Sequence, residues 1–251
     1  MINKQKQWIS HNVVRITQDR LLTLNRSSTG KLLDIGCGNG NFTKEFSDRV
    51  GIREIWGIDI DNESLSQASS NGLRCIMADL NNPLPIPPGS FNVVLCNQVL
   101  EHLHDPDCLL AEINKAMALN GQLFLTIPNI CALHERIFIL LGWQPTSIWP
   151  SLRATFGNPL WHKEPAYSRP SKHLNAFSPR SIKEMLNYYG FQIVEFTGGL
   201  VPPFGNKLSK FINRLNPNFA YHLIIKAIKN KEFIGKSKVT EDKINWGRTD
   251  Y

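Results

Sequence analysis

The sequence predicts an α/β chain: a mainly parallel, seven-stranded sheet with helices on both faces and a cap inserted after the fifth strand. Three observations carry that expectation. Short β-branched and apolar runs alternate with amphipathic spacers along most of the 251 residues. A glycine-rich turn joins the first apolar run to a helix, at Leu32-Leu33-Asp34-Ile35-Gly36-Cys37-Gly38-Asn39-Gly40. One long stretch, Ile130 to Phe177, breaks the alternation with tryptophans, prolines and histidines.

Strands are expected at 31–36, 54–59, 73–77, 91–97, 121–128, 191–198 and 219–228, and helices at 8–24, 40–48, 62–70, 107–118 and 178–189. The first strand ends in Asp34-Ile35 and runs into the glycine turn, whose exit at Asn41–Phe46 begins a helix. The second, Glu54-Ile55-Trp56-Gly57-Ile58-Asp59, also ends in an acid, and the third closes on Ala78-Asp79-Leu80. Asp105-Pro106 and Ser178-Pro179 are helix starts, with a capping side chain followed by proline in the first turn, and Gly190 is a helix stop. Phe191–Thr197 and Phe219–Ile228 supply a final antiparallel pair across an unusually long connection. The chain then divides into an N-terminal cap helix (1–29), a core (30–130 and 171–229), an aromatic cap insertion (131–170) and a basic tail (230–251).

The chemistry begins at the turn. Glycine accepts positive φ and lets the backbone lie against a ligand, while the following helix directs free N–H groups and its positive dipole end there. Asp59 stands about 20 residues downstream, where an acid can accept hydrogen bonds from both hydroxyls of a ribose. A dinucleotide fold would continue as G-x-G-x-x-G, but here the third glycine comes early, at Gly40. Asp34 is also awkward beside a pyrophosphate, since two negative charges would face each other. A carboxylate there suits a ligand carrying an ammonium or a sulfonium.

At these residues the chain resembles the class I S-adenosylmethionine-dependent methyltransferases, with their Rossmann-like core. Leu33–Gly40 resembles the first motif of that family and Gly57-Ile58-Asp59-Ile60 its ribose-binding strand end. Ala78-Asp79-Leu80 is similar to its adenine-side acid, and Phe91–His102 to its fourth strand and the loop over the methionine moiety. Gly121–Asn129 resembles the fifth strand. The resemblance implies S-adenosyl-L-methionine as cofactor, held by Asp34, Gly36, Gly38, Gly40, Asp59, Ile60, Asp79, Leu80, Asn97 and Gln98. Asp59 would take the ribose hydroxyls, Asp79 the adenine amino group, and the Asn97 carbonyl the methionine ammonium. Asp34 would either contact that ammonium or orient the turn.

Composition fits such an enzyme. A 42% hydrophobic fraction and this length suffice for one large core. The longest apolar run, Ile137–Leu141, is far too short to span a bilayer. No apolar region follows the N-terminal Met1–Lys6, which argues for a cytoplasmic protein. The five cysteines form no CxxC pair and read as free thiols in a reducing compartment. Of the +7 net charge, Gly205–Tyr251 holds ten Lys/Arg against four acids, so the rest of the chain is nearly neutral. Without interleaved aromatics this segment reads as a solvated tail rather than a nucleic-acid surface.

The stretch 130–177 leaves the carboxyl end of the fifth strand, the side on which open α/β sheets bind ligands, so it is read as a substrate-enclosing cap. A membrane contact through Ile137–Trp149 is a further reading of it. Two histidines are candidate general bases for an oxygen acceptor: His173, just before the fifth helix, and His102, in the loop after the fourth strand. Some quinone-type O-methyltransferases carry Glu-x-x-Glu-His at that loop, a segment associated with a divalent metal. Gln98 replaces the first of those acids here, and no metal is expected. The chain thus reads as a methyltransferase acting at O or N of a small-molecule, glycan or lipid-linked acceptor. The alternative is a non-catalytic or nucleic-acid-directed member docking through its basic C-terminal segment.

Overall fold

A computed structural model of the chain describes residues 14–24, 29–148, 150–151, 153–161 and 173–234. A helix α1 (14–23) precedes β1 (Lys31–Ile35), α2 (Asn41–Val50), β2 (Glu54–Asp59), α3 (Asn62–Ser70), β3 (Arg74–Met77), β4 (Phe91–Asn97), α4 (Pro106–Ala116) and β5 (Met117–Pro128). Helix α5 (Leu133–Leu140) follows, then α6 (Pro179–Tyr188), β6 (Phe191–Gly198), α7 (Asn206–Leu215) and β7 (His222–Lys229). The seven strands form one sheet in the order β3-β2-β1-β4-β5-β7-β6. Strand β7 runs antiparallel to both its neighbours, and the remaining pairs are parallel. The carboxyl ends of β1, β2, β3, β4, β5 and β6 therefore share one edge of the sheet.

The two-residue alternation of the strands sorts the core into two layers. On one face Leu33, Ile35, Val94, Cys96, Leu123, Leu125 and Ile127 pack with Leu109, Leu110 and Ile113 of α4 and Ile182 and Leu186 of α6. On the other, Leu32, Val93, Leu95 and Phe124 meet Leu21 and Leu22 of α1, Phe46 and Val50 of α2, and Leu65 and Ala68 of α3. Phe46 sets its ring edge-on to Phe124 at 5.1 Å.

The expected helix starts hold. Asp105 caps α4 by accepting from Cys108 N at 2.8 Å, with Pro106 in the first turn. Ser178 caps α6 in a reciprocal box with Ser181. Such caps contribute about 1 kcal/mol each. Four details differ from expectation. Strand β5 begins at Met117, directly from α4, because Asn120 takes a positive φ of 63° and re-aims the chain in place of a loop. Strand β7 begins at His222 rather than 219, after a 3₁₀ turn at Pro217–Phe219 capped by Asn216. The long connection before it contains α7, and the cap insertion contains α5; neither helix was foreseen. The expected first helix extends to residue 8, and 8–13 lie outside the described residues, as do 162–172 of the cap and most of the basic tail.

Asn129, fully buried, ties the end of β5 to the cap and to the edge pair. Its side chain donates to the carbonyls of Asn218 (2.9 Å) and Ala220 (2.8 Å) and accepts from Cys131 N (2.9 Å). Asn129→Ala would remove the side-chain partner of one buried and two partly buried backbone groups and is expected to cost about 2–4 kcal/mol of stability. Urea unfolding, read as a lower midpoint at unchanged slope, checks this.

Candidate active site

The glycine turn is clamped onto the end of β2. Gly36 N and Cys37 N both donate to the Ile58 carbonyl, at 2.8 and 3.0 Å. Gly36, Gly38 and Gly40 all have positive φ, but their surroundings differ. A Cβ on Gly40 would press on Ala68 at 3.0 Å, so that position serves close packing of α3. A Cβ on Gly36 would overlap Val99 at 2.7 Å, which shows how closely the loop after β4 lies over the turn. A Cβ on Gly38 would meet nothing within 4 Å, making it the open side of the cradle.

Asp34 is buried beneath this turn. Thr43 Oγ1 donates to its Oδ2 at 2.5 Å, while Oδ1 has no hydrogen-bond partner. Burial pushes its carboxyl up to about 7, partly offset by the Thr43 bond, with the Asp59 charge adding to the rise. Asp59 stands at the rim. Its Oδ2 accepts from Gly38 N at 2.8 Å and its Oδ1 from Asp61 N at 3.0 Å, which fixes the carboxylate while leaving acceptor capacity outward. Asp61, not Asp59, caps α3, through Ser64 N.

Asp79 anchors its own loop: Oδ1 accepts from Asn81 N and Nδ2, each at 2.9 Å, and Oδ2 from Asn82 Nδ2 at 3.1 Å. Leu80 beside it is half-buried. Ile60, 67% exposed, and Met77, 65% exposed, stand at the carboxyl ends of adjacent strands next to these acids. Two bare apolar side chains there suit a flat heteroaromatic ring. Across the turn, Asn97 Oδ1 accepts from Thr126 Oγ1 at 2.5 Å, and Gln98 Nε2 donates to the same hydroxyl at 3.1 Å. Gln98 has a φ of 58°, an uncommon conformation for a residue with a side chain, held by its N–H to the Thr126 carbonyl. The orphaned Asp34 oxygen, the open face at Gly38 and the paired rim acids fit S-adenosylmethionine, with its cationic amino-acid end, ribose and adenine.

The two histidines singled out in the sequence meet beside this cradle. The Glu101 carbonyl accepts from Leu174 N (2.7 Å) and Asn175 N (3.1 Å), and Asn175 Nδ2 donates to the Leu103 carbonyl (2.5 Å). This seam binds the returning cap to the short 3₁₀ turn Leu100–His102. It sets the rings of His102 and His173 5.0 Å apart, edge to face. His173 Nδ1 lies 2.6 Å from the Ser147 carbonyl. A carbonyl only accepts, so Nδ1 carries the proton and Nε2 the lone pair. Burial lowers the pKa of His173, the Ser147 bond opposes that, and His102 lowers it further.

Glu101, the remaining acid of the Glu-His segment, and two residues that carried no sequence signal, Glu135 and Ser147, complete the site. Glu101 is buried with neither carboxyl oxygen hydrogen-bonded, and burial raises it to about 8. His102 Nε2 approaches it to 3.8 Å. Glu135, on α5, is fully buried and accepts from Thr146 N (2.8 Å), Thr146 Oγ1 (2.6 Å) and Ser147 N (2.9 Å). It thereby fixes Ser147, whose carbonyl orients His173. Glu101, His102 and His173 each place one donor atom within 4.8 Å of the other two. One carboxylate and two imidazoles is a donor set that divalent transition ions accept. Gln98 removes a carboxylate from the loop, and the cap brings His173 to the same place.

Comparison with known proteins follows this geometry. A family described as a methyltransferase domain matches residues 8–196. The ubiquinone biosynthesis O-methyltransferase of Psychrobacter cryohalolentis is 31% identical over 133 residues, 49% of this chain and 51% of that enzyme. The malonyl-[acyl-carrier protein] O-methyltransferase of Legionella pneumophila is 33% identical over 101 residues, 38% of this chain and 35% of that one. The chain thus spans about half the length, or less, of these two curated relatives. An S-adenosylmethionine-dependent methyltransferase from Mesorhizobium loti shares the fold, with a TM-score of 0.58 at 17% identity over 84% of this chain and 96% of that one. With its cradle, its sheet order and a family match covering most of its length, the chain belongs to the class I S-adenosylmethionine-dependent methyltransferases.

Proposed function

We propose that this protein transfers a methyl group from S-adenosylmethionine to an oxygen of a small-molecule acceptor, with His173 as the general base. The observation that supports this reading is the imidazole pair at the seam. Two segments about seventy positions apart converge there, and a cap carbonyl fixes the tautomer of His173, placing the ring lone pair on Nε2. An amine acceptor would need no such base; a hydroxyl of high pKa does. The two relatives named above are both O-methyltransferases by name, which agrees with an oxygen acceptor.

When bound, S-adenosylmethionine supplies a methyl group already activated by a positive sulfur. The chain's own work is positioning and proton transfer. Asp59 holds the ribose edge, and Asp34 faces the amino-acid end from below the turn. The loop 97–102 and the cap enclose the acceptor and exclude water, so that its oxygen approaches the methyl carbon in line. His173 Nε2 would take the acceptor hydroxyl proton as the methyl–sulfur bond breaks and the methyl–oxygen bond forms. His102, its ring packed against His173, would help orient the acceptor.

A second reading rests on the three converging donors at Glu101, His102 and His173. There the imidazoles would hold a divalent ion that polarises the acceptor oxygen. Chelator dialysis separates the two: turnover that is lost and then restored by added divalent ion selects the metal, and unchanged turnover selects the base.

Labelled-methyl transfer to a panel of phenols, quinols, carboxylates and amines tests the reaction. Product on oxygen acceptors alone is expected, and product confined to amines would overturn the reading. His173→Gln is expected to lower kcat by about 10²–10⁴-fold while leaving S-adenosylhomocysteine affinity unchanged by calorimetry. Because burial lowers the pKa of His173, it is neutral at pH 7 and becomes protonated only as pH falls through that depressed value. The acid limb of kcat/KM should therefore lie below about 6.5, and it should vanish in the variant.

Asp34 generates an opposite trend. Its carboxyl, raised to about 7, is ionised only as pH rises through that value, and only the ionised form attracts an ammonium. S-adenosylhomocysteine should bind roughly tenfold more tightly at pH 8 than at pH 6. Asp34→Asn should weaken binding and flatten that dependence in the same titration.

A further inference from the structure

Helix α7 is built inside out. Its buried residues are polar: Ser209 Oγ accepts from Val201 N at 3.0 Å, and Asn213 Nδ2 donates to the carbonyls of Gly198 (3.0 Å) and Gly199 (2.7 Å). Ile212 is half-buried, and its other apolar residues are exposed. Leu208, Phe211 and Leu215 follow the spacing i, i+3, i+7 of one helical stripe, with Phe211 57% and Leu215 73% exposed. Lys207, Lys210 and Arg214, all exposed, repeat the same spacing one position earlier and form a basic stripe alongside. The helix contains no acid. A soluble helix of this length ordinarily buries its apolar stripe; this one buries serine and asparagine and presents hydrocarbon and cations together.

A second apolar surface lies on the same edge of the sheet. Helix α5 follows β5 and α7 follows β6, and those two strands run in the same direction, so both helices leave the edge that carries the glycine cradle. The two are linked where Arg136 of α5 sits 5.3 Å from the ring of Phe219, in the turn that ends the α7 connection. Helix α5 exposes Ile137, Ile139 and Leu140, the last at 86%. Among the described residues no helix is long and apolar enough to cross a membrane.

We propose that the exposed stripe of α7, continued by α5, seats the protein on an anionic lipid bilayer. An apolar stripe bordered by lysine and arginine is what an interfacial helix needs: side chains to enter the acyl boundary and cations to meet the headgroups. Charge selects this occupant over an apolar groove of another protein, because the apolar stripe of α7 is bordered by cations and no anion. The proposal does not depend on the acceptor being a lipid. It does place the opening of the cradle toward the bilayer side, which suits an acceptor that partitions into membranes.

Cosedimentation of the full chain with phosphatidylcholine vesicles, with and without phosphatidylglycerol, tests it. Binding is expected only with phosphatidylglycerol, and added salt should reverse it. Lys207→Glu with Lys210→Glu should weaken partitioning by more than about tenfold, given roughly fivefold for each basic residue at an anionic surface. Phe211→Asp with Leu215→Asp should abolish it, and the milder Phe211→Ser should weaken it. All these side chains are exposed, so thermal melts should match the parent and separate lost docking from lost folding. Turnover of a water-soluble acceptor should persist in every variant, which separates a failure of docking from a failure of the proposed reaction. Absence of wild-type binding to the anionic vesicles, or undiminished binding of the two double variants, would overturn the proposal. So would sedimentation velocity showing a dimer that Phe211→Asp dissociates, since the stripe would then belong to a second copy of the chain.

Discussion

Three hydrogen bonds hold the site together. They run from the backbone of Leu174 and Asn175 and the Asn175 side chain to the carbonyls of Glu101 and Leu103. The sheet by itself brings the glycine turn and the loop after β4 to one edge, through the parallel register of Asp34 with Leu95 and Ile35 with Cys96. That register delivers His102 but nothing from beyond β5. The seam, together with the Ile130 N–H donating to the Phe177 carbonyl at 3.1 Å, brings the far end of the cap back across the carboxyl edge, where His173, Ser147 and the buried Glu101 share one space. The bonds are backbone-dominated, so they tolerate sequence change along the seam while preserving the juxtaposition.

Burial then sets the electrostatics. Asp34 and Glu101 both act on Cys96, and all three are raised because a charge there is poorly solvated. Each carboxyl has at least one oxygen without a hydrogen-bond partner. Buried polar atoms are normally satisfied, and exceptions concentrate where a ligand completes them. The buried histidines His134 and His222 follow the same rule: burial lowers His134 to about 4 and His222 to about 3, so both are neutral spacers. Thr17 of α1 meets His222 Nδ1 at 3.0 Å, tying the N-terminal helix to this neutral layer.

The sheet, its two layers and the cradle were legible because each rests on local rules. Alternation of apolar residues marks strands, glycine marks the turn, and Asp105-Pro106 and Ser178-Pro179 mark helix starts. Helix α7 was not legible for a physical reason. Its apolar stripe, taken as a sign of burial, is the exposed side, and its anchoring polar residues looked like surface. Helix α5 hid in an apolar run whose single buried acid, Glu135, is satisfied by a turn eleven residues away. The pairing of His102 with His173 lay beyond sequence reading as well. Each was visible alone, but their meeting is a product of hydrogen bonds between backbone groups, which carry no residue signature.

Glu135 has a consequence for how such an enzyme can change its acceptor. One carboxylate folds the 146–147 turn and, through the Ser147 carbonyl, decides which nitrogen of His173 carries the proton. The first part of the insertion, from α5 to Ser147, is therefore mechanically coupled to the proposed base. Among the described residues beyond Ile148, Asn158 and Gly157 tie back to the backbone of Gln144, whose side chain reaches the Ile148 carbonyl. The bonds from Glu135 through the 146–147 turn to His173 draw on the first part of the insertion, so exchange of the described residues 153–161 should leave them in place.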